Sequence, residues 1–227
     1  IFIFFLLLLL IFSIISLRNY SGVMKKKEKF TKLFSKSNSI NILSASRVFL
    51  FGARDIWFVV GVPIFFYDKL SWSFTEVGSF MASWIIFYGI IQSLAPKLLK
   101  IFYGNNFSEN EQAFIWAIKL LLIIVCLGIL SYTYDYNGYL ICMGLFLFGF
   151  IFAINSSIHS YLILALAKKN DVTLDVGFYY MANAMGRLLG CIISGFSYQI
   201  AGLIGCFIFA GIFLFFCSIF SFYLKSY

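Results

Sequence analysis

Two arginines and one aspartate lie in segments that are otherwise apolar. Arg54 and Asp55 are neighbours in "FLFGARDIWFVVGVP", and Arg187 lies in "VGFYYMANAMGRLLGCIISGFSYQ". A guanidinium binds a phosphate, an arsenate or a carboxylate through two parallel hydrogen bonds. A carboxylate inside a membrane is typical of a proton relay. The three residues predict a site that recognises an organic anion, with Asp55 as the proton-coupling group.

Arg187 is the strongest of these signals because of its depth. It follows Val176, the predicted start of its helix, by about 16 Å of helical rise. Insertion of an arginine at the bilayer centre costs about 2.5–3.5 kcal/mol, so we expect Arg187 to face protein or a water-filled cavity. Tyr180 and Asn183 lie at helical spacing from Arg187 and share its face. We interpret the three as substrate-binding residues; the alternative is a structural salt bridge at Arg187.

A ladder of small residues runs beside that face at every fourth position. Small side chains let the backbones of two membrane helices approach closely. The ladder therefore predicts a closely packed neighbouring helix. It consists of Ala182, Gly186, Gly190 and Ser194.

Arg54 and Asp55 pose a different problem, since consecutive helical residues point about 100° apart. We therefore expect each to find its partner on another helix or in a cavity. Arg47 lies one heptad before Arg54 and is predicted to sit at the cytoplasmic edge, where both could form an access path for anions. In the alternative reading, Arg54 extends its charge to the membrane surface and Asp55 pairs with Arg187.

Asn155 and His159 are a second candidate pair, four residues apart on one helix face. If the helix ends at Leu166, Asn155 lies about 16 Å deep, near the predicted level of Arg187. Asn155 is assigned to substrate binding. His159 is the only histidine, and the ordinary pKa of its side chain suits proton coupling. The alternative is a histidine that only satisfies a structural hydrogen bond.

The elements that must hold these residues are membrane helices. Of 227 residues, 62% are hydrophobic and 11% are charged, against about 45–50% and about 25% in soluble domains. The mean hydropathy is +0.96. Apolar segments of roughly 20 residues are long enough to span a bilayer. The composition predicts an all-α polytopic membrane protein.

Seven apolar segments can be counted, and the first has neither a methionine nor a basic start. We expect residues 1–17 to be the end of a helix whose beginning is missing, residues 18–41 to form a basic cytoplasmic loop, and residues 42–227 to form a six-helix domain. This layout predicts the C-terminal half of a six-plus-six transporter, whose N-terminal half would be its partner. The six later spans are predicted at Ile42–Tyr67, Phe74–Leu94, Ala113–Thr133, Tyr139–Leu166, Val176–Tyr198 and Ala201–Leu224.

Features at the helix ends complete the prediction. Ser73 and Glu76 have the spacing of a capping box at a helix start, and Pro96 is expected to end the same helix. Lys119 lies near the start of its span and can extend its charge towards the cytoplasm.

The distribution of basic residues predicts the orientation. Thirteen of the 17 Lys and Arg residues fall on one side, and only Lys69 falls on the other. Positive loops stay cytoplasmic, so we expect a multi-pass protein of the inner (cytoplasmic) membrane with a cytoplasmic C-terminus. Basic residues placed in this way indicate a lipid bilayer rather than nucleic acid as the partner. The five cysteines show no metal-binding spacing; no metal, cofactor or enzymatic activity is predicted.

Three segments resemble the organoarsenical efflux permeases (ArsJ type) of the major facilitator superfamily. They are "FLFGARDIWFVVGVP", "WSFTEVGSFMASWIIFYGIIQSLAP" and "HSYLILALAKKNDVTLDVGFYYMANAMGRLLG", and the resemblance covers Asn41 to Tyr198. It implies a twelve-helix fold, of which this chain holds helices seven to twelve and the end of helix six. It also implies export of 1-arseno-3-phosphoglycerate, and so arsenate resistance, with a functional link to the glyceraldehyde-phosphate dehydrogenase that makes this ester.

Two alternatives remain open. A proton-coupled carrier of sugar phosphates or carboxylates would use the same arginines as an arsenate-ester exporter. A seven-helix receptor or channel is a different class. A retinal-type receptor needs a lysine in its last helix, and Ala201–Leu224 has none.

Overall fold

The computed structural model describes residues 2–17, 37–104, 108–133, 138–167 and 172–224. These residues form helices, short turns and no strands. The chain falls into two units. The first contains α1 (Phe2–Leu17), an apolar helix whose described side chains are exposed. This helix confirms the helical prediction for residues 1–17.

The second unit contains the remaining helices. In chain order they are α2 (Asn38–Ile56), a π-helical segment (Trp57–Gly61), α3 (Val62–Asp68), α4 (Phe74–Tyr103), α5 (Glu109–Thr133), α6 (Gly138–Leu166) and α7 (Val172–Leu224). Five continuous helical stretches in the described residues are long and apolar enough to cross a membrane, counting α2, the π segment and α3 as one. The protein is therefore an all-α membrane protein, and its several apolar helices indicate a multi-pass one.

Helix α7 is a pair of membrane-length helices joined at a break. Its 53 residues would extend about 80 Å as a straight helix, far more than the roughly 30 Å hydrocarbon core. Ala201 and Gly202 leave the helical conformation, and Gly202 has φ +58°, which glycine adopts without strain. The Ser197 hydroxyl donates to Cys206 Sγ at 3.3 Å across the break. The two predicted spans on either side of Ala201 are thus present.

The two ends of α4 confirm one prediction and correct another. The capping box is present, because Ser73 Oγ accepts from the Glu76 amide and Glu76 accepts from the Ser73 amide. The prediction that Pro96 ends α4 is wrong, since the helix continues to Tyr103. Proline removes one N–H donor, and the buried Ala95 and Leu99 hold the following turn against the core.

Helix α2 begins at Asn38 rather than at the predicted Ile42. The predicted basic loop, residues 18–41, therefore ends earlier than expected, and residues 18–36 lie outside the described part of the chain. The four added residues lengthen α2 by about 6 Å. Every side chain on α2 consequently lies further from the helix start than the sequence suggested.

The small-residue ladder is the contact surface between α2 and α7. A Cβ added to Gly186 would lie 2.2 Å from the Val48 carbonyl oxygen, and one added to Gly190 would lie 2.7 Å from that of Gly52. Ala182 and Ser194 are also buried. The predicted close packing is confirmed, and its partner is the helix that carries Arg54 and Asp55.

Candidate functional site

The close approach of α2 and α7 brings the three predicted charged residues together. Asp55 is 1% exposed and accepts a hydrogen bond from Arg54 Nε at 2.7 Å. Arg54 Nη2 contacts the same carboxylate oxygen. Arg187 Nε donates to the other oxygen at 3.2 Å. One buried carboxylate is thus shared by two guanidiniums, and we call Arg54, Asp55 and Arg187 the Asp55 cluster.

The pairing within this cluster corrects one prediction and confirms another. The expectation of a partner on another helix is wrong for Arg54, whose long side chain folds back onto the neighbouring carboxylate. It is confirmed for Asp55, which accepts a hydrogen bond from Arg187 on α7. In the alternative reading, the pairing of Asp55 with Arg187 is confirmed, whereas Arg54 pairs with Asp55 instead of extending its charge away from it. Asp55 pairs with both arginines because one of its oxygens contacts Arg54 on its own helix and the other contacts Arg187 on α7.

Exposure differs sharply between the two arginines of the Asp55 cluster. The Arg54 side chain is 12% exposed, whereas that of Arg187 is 57% exposed. Arg187 lies close to midway between the start of α7 at Val172 and its break at Ala201. The free side of its guanidinium is therefore presented at mid-depth of a membrane-length helix.

Arg47, predicted at the cytoplasmic edge, is a third guanidinium in the same helix interface. It is 4% exposed and lies about 14 Å from the start of α2 at Asn38. Arg47 Nε donates to Asn183 Oδ1 at 3.2 Å. Its Nη1 donates to the carbonyl and the hydroxyl of Ser156, both at 3.2 Å. Arg47 thus links α2, α7 and α6.

Aromatic rings enclose the two α2 arginines. The Arg47 Cζ atom lies 3.9 Å from the centroid of the Phe51 ring, and Arg54 Cζ lies 5.0 Å from the same centroid. Phe152 on α6 lies 5.4 Å from Arg54 Cζ, and Tyr179 on α7 lies 5.0 Å from Arg47 Cζ. The negative ring faces attract the cations and keep the interface apolar around them.

The remaining predicted residues occupy two different environments. Tyr180 is 53% exposed and packs on the ring of Tyr179, on the exposed side of α7. Asn155 and His159 are fully buried, and no hydrogen-bond partner is found for either side chain. The hydrogen-bonded histidine of the alternative reading is therefore not observed. The structure joins Asn183 to Arg47 and shows no hydrogen bond between the Asp55 cluster and the described side chains of Tyr180, Asn155 or His159.

A π-helical turn directly follows the Asp55 cluster. Pro63 has no backbone N–H, and the helix before it widens over Trp57–Gly61. The Ser194 hydroxyl accepts hydrogen bonds from the Val60 and Gly61 amides at 3.2 and 3.3 Å. The last member of the small-residue ladder thus satisfies amides in the widened turn and fixes the register of α2 against α7.

The electrostatic balance of this interface favours anions. Arg47, Arg54 and Arg187 bring three positive charges, and among the described residues Asp55 is the carboxylate that pairs with two of them, Arg54 and Arg187. The arrangement leaves an excess of two positive charges between membrane-length helices. Such a site suits a ligand that brings negative charge.

Comparisons of the chain with models of protein families, with characterised proteins and with solved structures gave no match. The resemblance to organoarsenical permeases therefore stays a prediction.

Proposed function

We propose that the chain is the substrate-binding part of a membrane transporter for an organic anion. The observation that supports this most directly is Arg187, which is 57% exposed although its carboxylate partner is 1% exposed. A guanidinium facing hydrocarbon at mid-membrane depth costs about 2.5–3.5 kcal/mol. It is tolerated where it faces water or protein, as it would in a substrate pathway.

The proposed substrate is an arsenate or phosphate ester of glyceric acid, with 1-arseno-3-phosphoglycerate as the exported compound. Three arginines against one paired carboxylate suit an ester that carries more than one negative charge. The resemblance of the Arg54 and Arg187 segments to organoarsenical permeases supports the same substrate. In this account the glyceraldehyde-phosphate dehydrogenase supplies the ester and the transporter removes it.

Asp55 is proposed to couple transport to protons. An anion bound at Arg187 competes with Asp55 for the same guanidinium, since Arg187 Nε donates to the Asp55 carboxylate. A proton taken up by Asp55 frees the guanidinium, and a proton lost restores the pair. Helices α2–α7 are proposed to act as one half of a major-facilitator-type transporter whose other six helices cover the exposed face of α7, with the C-terminus in the cytoplasm.

Arsenic export from arsenate-sensitive cells tests the proposal. Cells expressing the complete protein and the dehydrogenase are compared for the wild type, Arg187→Gln and Lys119→Gln at matched membrane levels. We expect export from the wild type and Lys119→Gln, and loss of export from Arg187→Gln. Unchanged export from Arg187→Gln would make that residue structural. No export from the wild type would contradict the arsenate-ester substrate, and uptake of 3-phosphoglycerate would then favour a carrier of ordinary organic anions.

A further inference from the structure

Arg47 is a buried cation whose hydrogen-bond partners are all neutral. Its Nε donates to the Asn183 amide oxygen, and its Nη1 donates to the carbonyl and the hydroxyl of Ser156. Asp55 balances Arg54 and Arg187, and no carboxylate of the described residues forms an ion pair with Arg47. A buried charge is stable when it is paired, and neutral acceptors only partly replace an opposite charge.

The turn of α6 that contacts Arg47 carries further unused polar groups. Asn155 precedes Ser156, and His159 follows it by three residues, near one helical turn. Both are fully buried, and both nitrogens of His159 and both polar atoms of the Asn155 amide have no hydrogen-bond partner. Buried polar groups in native proteins are nearly always bonded, so these atoms point to a polar occupant.

The two α2 arginines are close enough to serve one small ligand. Their Cζ atoms lie 3.9 and 5.0 Å from the same Phe51 ring centroid, so they are at most 8.9 Å apart. Asn183, the bridge to Arg47, lies one turn before the exposed Arg187 on α7. A ligand that reaches Arg187 therefore lies one helical turn from Asn183, whose side chain bonds the guanidinium of Arg47.

We propose that Arg47, Asn155, Ser156, His159 and Asn183, the Arg47 cluster, form a second anion subsite. It takes one anionic group of a substrate that carries two, while the Asp55 cluster takes the other. The ligand class is a small organic compound with a phosphate, arsenate or carboxylate at each end of a short carbon chain. The Asn183 oxygen and the two Ser156 oxygens accept from Nε and Nη1 of Arg47, and the incoming anion replaces them. This subsite rests on the proposed function, since it deepens the substrate specificity of the same transporter.

Binding to the purified complete protein tests the subsite with two probes. 3-Phosphoglycerate has two anionic groups, and glycerol 3-phosphate has one. We expect the wild type to prefer 3-phosphoglycerate, and Arg47→Gln to bind it about tenfold or more weakly while binding glycerol 3-phosphate as the wild type does. Arg187→Gln should weaken both probes, and Lys119→Gln should weaken neither.

The outcomes separate the subsite from the proposed function. If Arg47→Gln weakens both probes equally, or changes neither, the subsite is wrong and the transporter stands. If the wild type binds neither probe, the proposed function fails and the subsite with it. If thermal unfolding shows that Arg47→Gln is not folded, Arg47→Lys takes its place. This variant keeps the positive charge and loses the planar pair of donors. The subsite then requires a selective loss of 3-phosphoglycerate affinity, and equal affinity for that probe would contradict it.

Discussion

Two regions of the protein hold cations inside membrane-length helices, and they do so differently. Lys119 on α5 donates to the Tyr103 hydroxyl at 3.2 Å and lies 4.0 Å from the Trp116 ring centroid. Its partners come from one turn of α5 and the end of α4. The arginines of the α2–α7 interface instead take partners from three helices, and Arg187 stays more than half exposed.

The difference teaches how to separate a tolerated charge from a positioned one. Lys119 is stabilised by a ring and a hydroxyl, and among the described residues no carboxylate forms an ion pair with it. Removing Asp55 leaves two guanidiniums without the carboxylate that they share. The first region stabilises a single cation with neutral groups. The second region pairs its cations with a buried carboxylate and with polar groups from three helices.

The largest expected effect concerns the backbone contact that builds the second region. Gly186→Ala places a methyl group 2.2 Å from the Val48 carbonyl oxygen, and backbone cannot move aside as a flexible side chain can. We expect a loss of about 3 kcal/mol or more of stability, seen as a lower melting temperature of the purified protein and lower membrane levels.

Gly195→Ala is the matched control for this substitution. It lies on the same helix, and a Cβ there meets nothing within 4 Å. We expect the control to be neutral or stabilising by up to about 1 kcal/mol, since alanine favours helix over glycine. Equal destabilisation by both substitutions would show that the α2–α7 contact is not as close as described.

The next effect concerns the shared carboxylate. Asp55→Asn leaves Arg54 and Arg187 without their common partner, and loss of one member of a buried pair costs about 3–5 kcal/mol. Because Arg187 is 57% exposed, we expect a smaller loss of about 1–3 kcal/mol. Thermal unfolding of the single and double variants measures it, and Arg54→Gln added to Asp55→Asn should recover part of the loss. If the double variant is less stable by the sum of the single losses, the two residues are not coupled.

The smallest effect is expected in the first region. Lys119→Gln removes a half-buried cation that a ring and a hydroxyl stabilise, and such a contact is worth about 1 kcal/mol. We expect a melting temperature close to that of the wild type and unchanged binding of organic anions. A selective loss of anion binding in Lys119→Gln would remove the distinction between the two regions.

The sequence predicted the helices better than the contacts between them. The apolar segments predicted the membrane-length helices, and the four-residue spacing of the ladder predicted close packing at Gly186 and Gly190. Both signals are local, because length, polarity and side-chain size are properties of one segment. The identity of the partner helix is not local, and it required the folded structure.

The site was predicted in part for the same reason. The types of Arg54, Asp55 and Arg187 marked them as unusual for a membrane helix. Their pairing was misjudged because the helical angle between neighbours ignores the reach of an arginine side chain. Arg47 was placed at the cytoplasmic edge because its depth was counted from a later start than Asn38. Its heptad spacing from Arg54 was the available signal that both face one interface.

Uptake of radiolabelled 3-phosphoglycerate into proteoliposomes that contain the purified complete protein tests the central claim most directly. The wild type, Arg187→Gln and Lys119→Gln are compared at equal protein content, and thermal unfolding checks that each variant is folded at the assay temperature. The account predicts saturable uptake by the wild type and Lys119→Gln, and uptake by Arg187→Gln reduced about tenfold or more. Equal uptake by the wild type and Arg187→Gln would contradict the claim that the Asp55 cluster binds the transported anion.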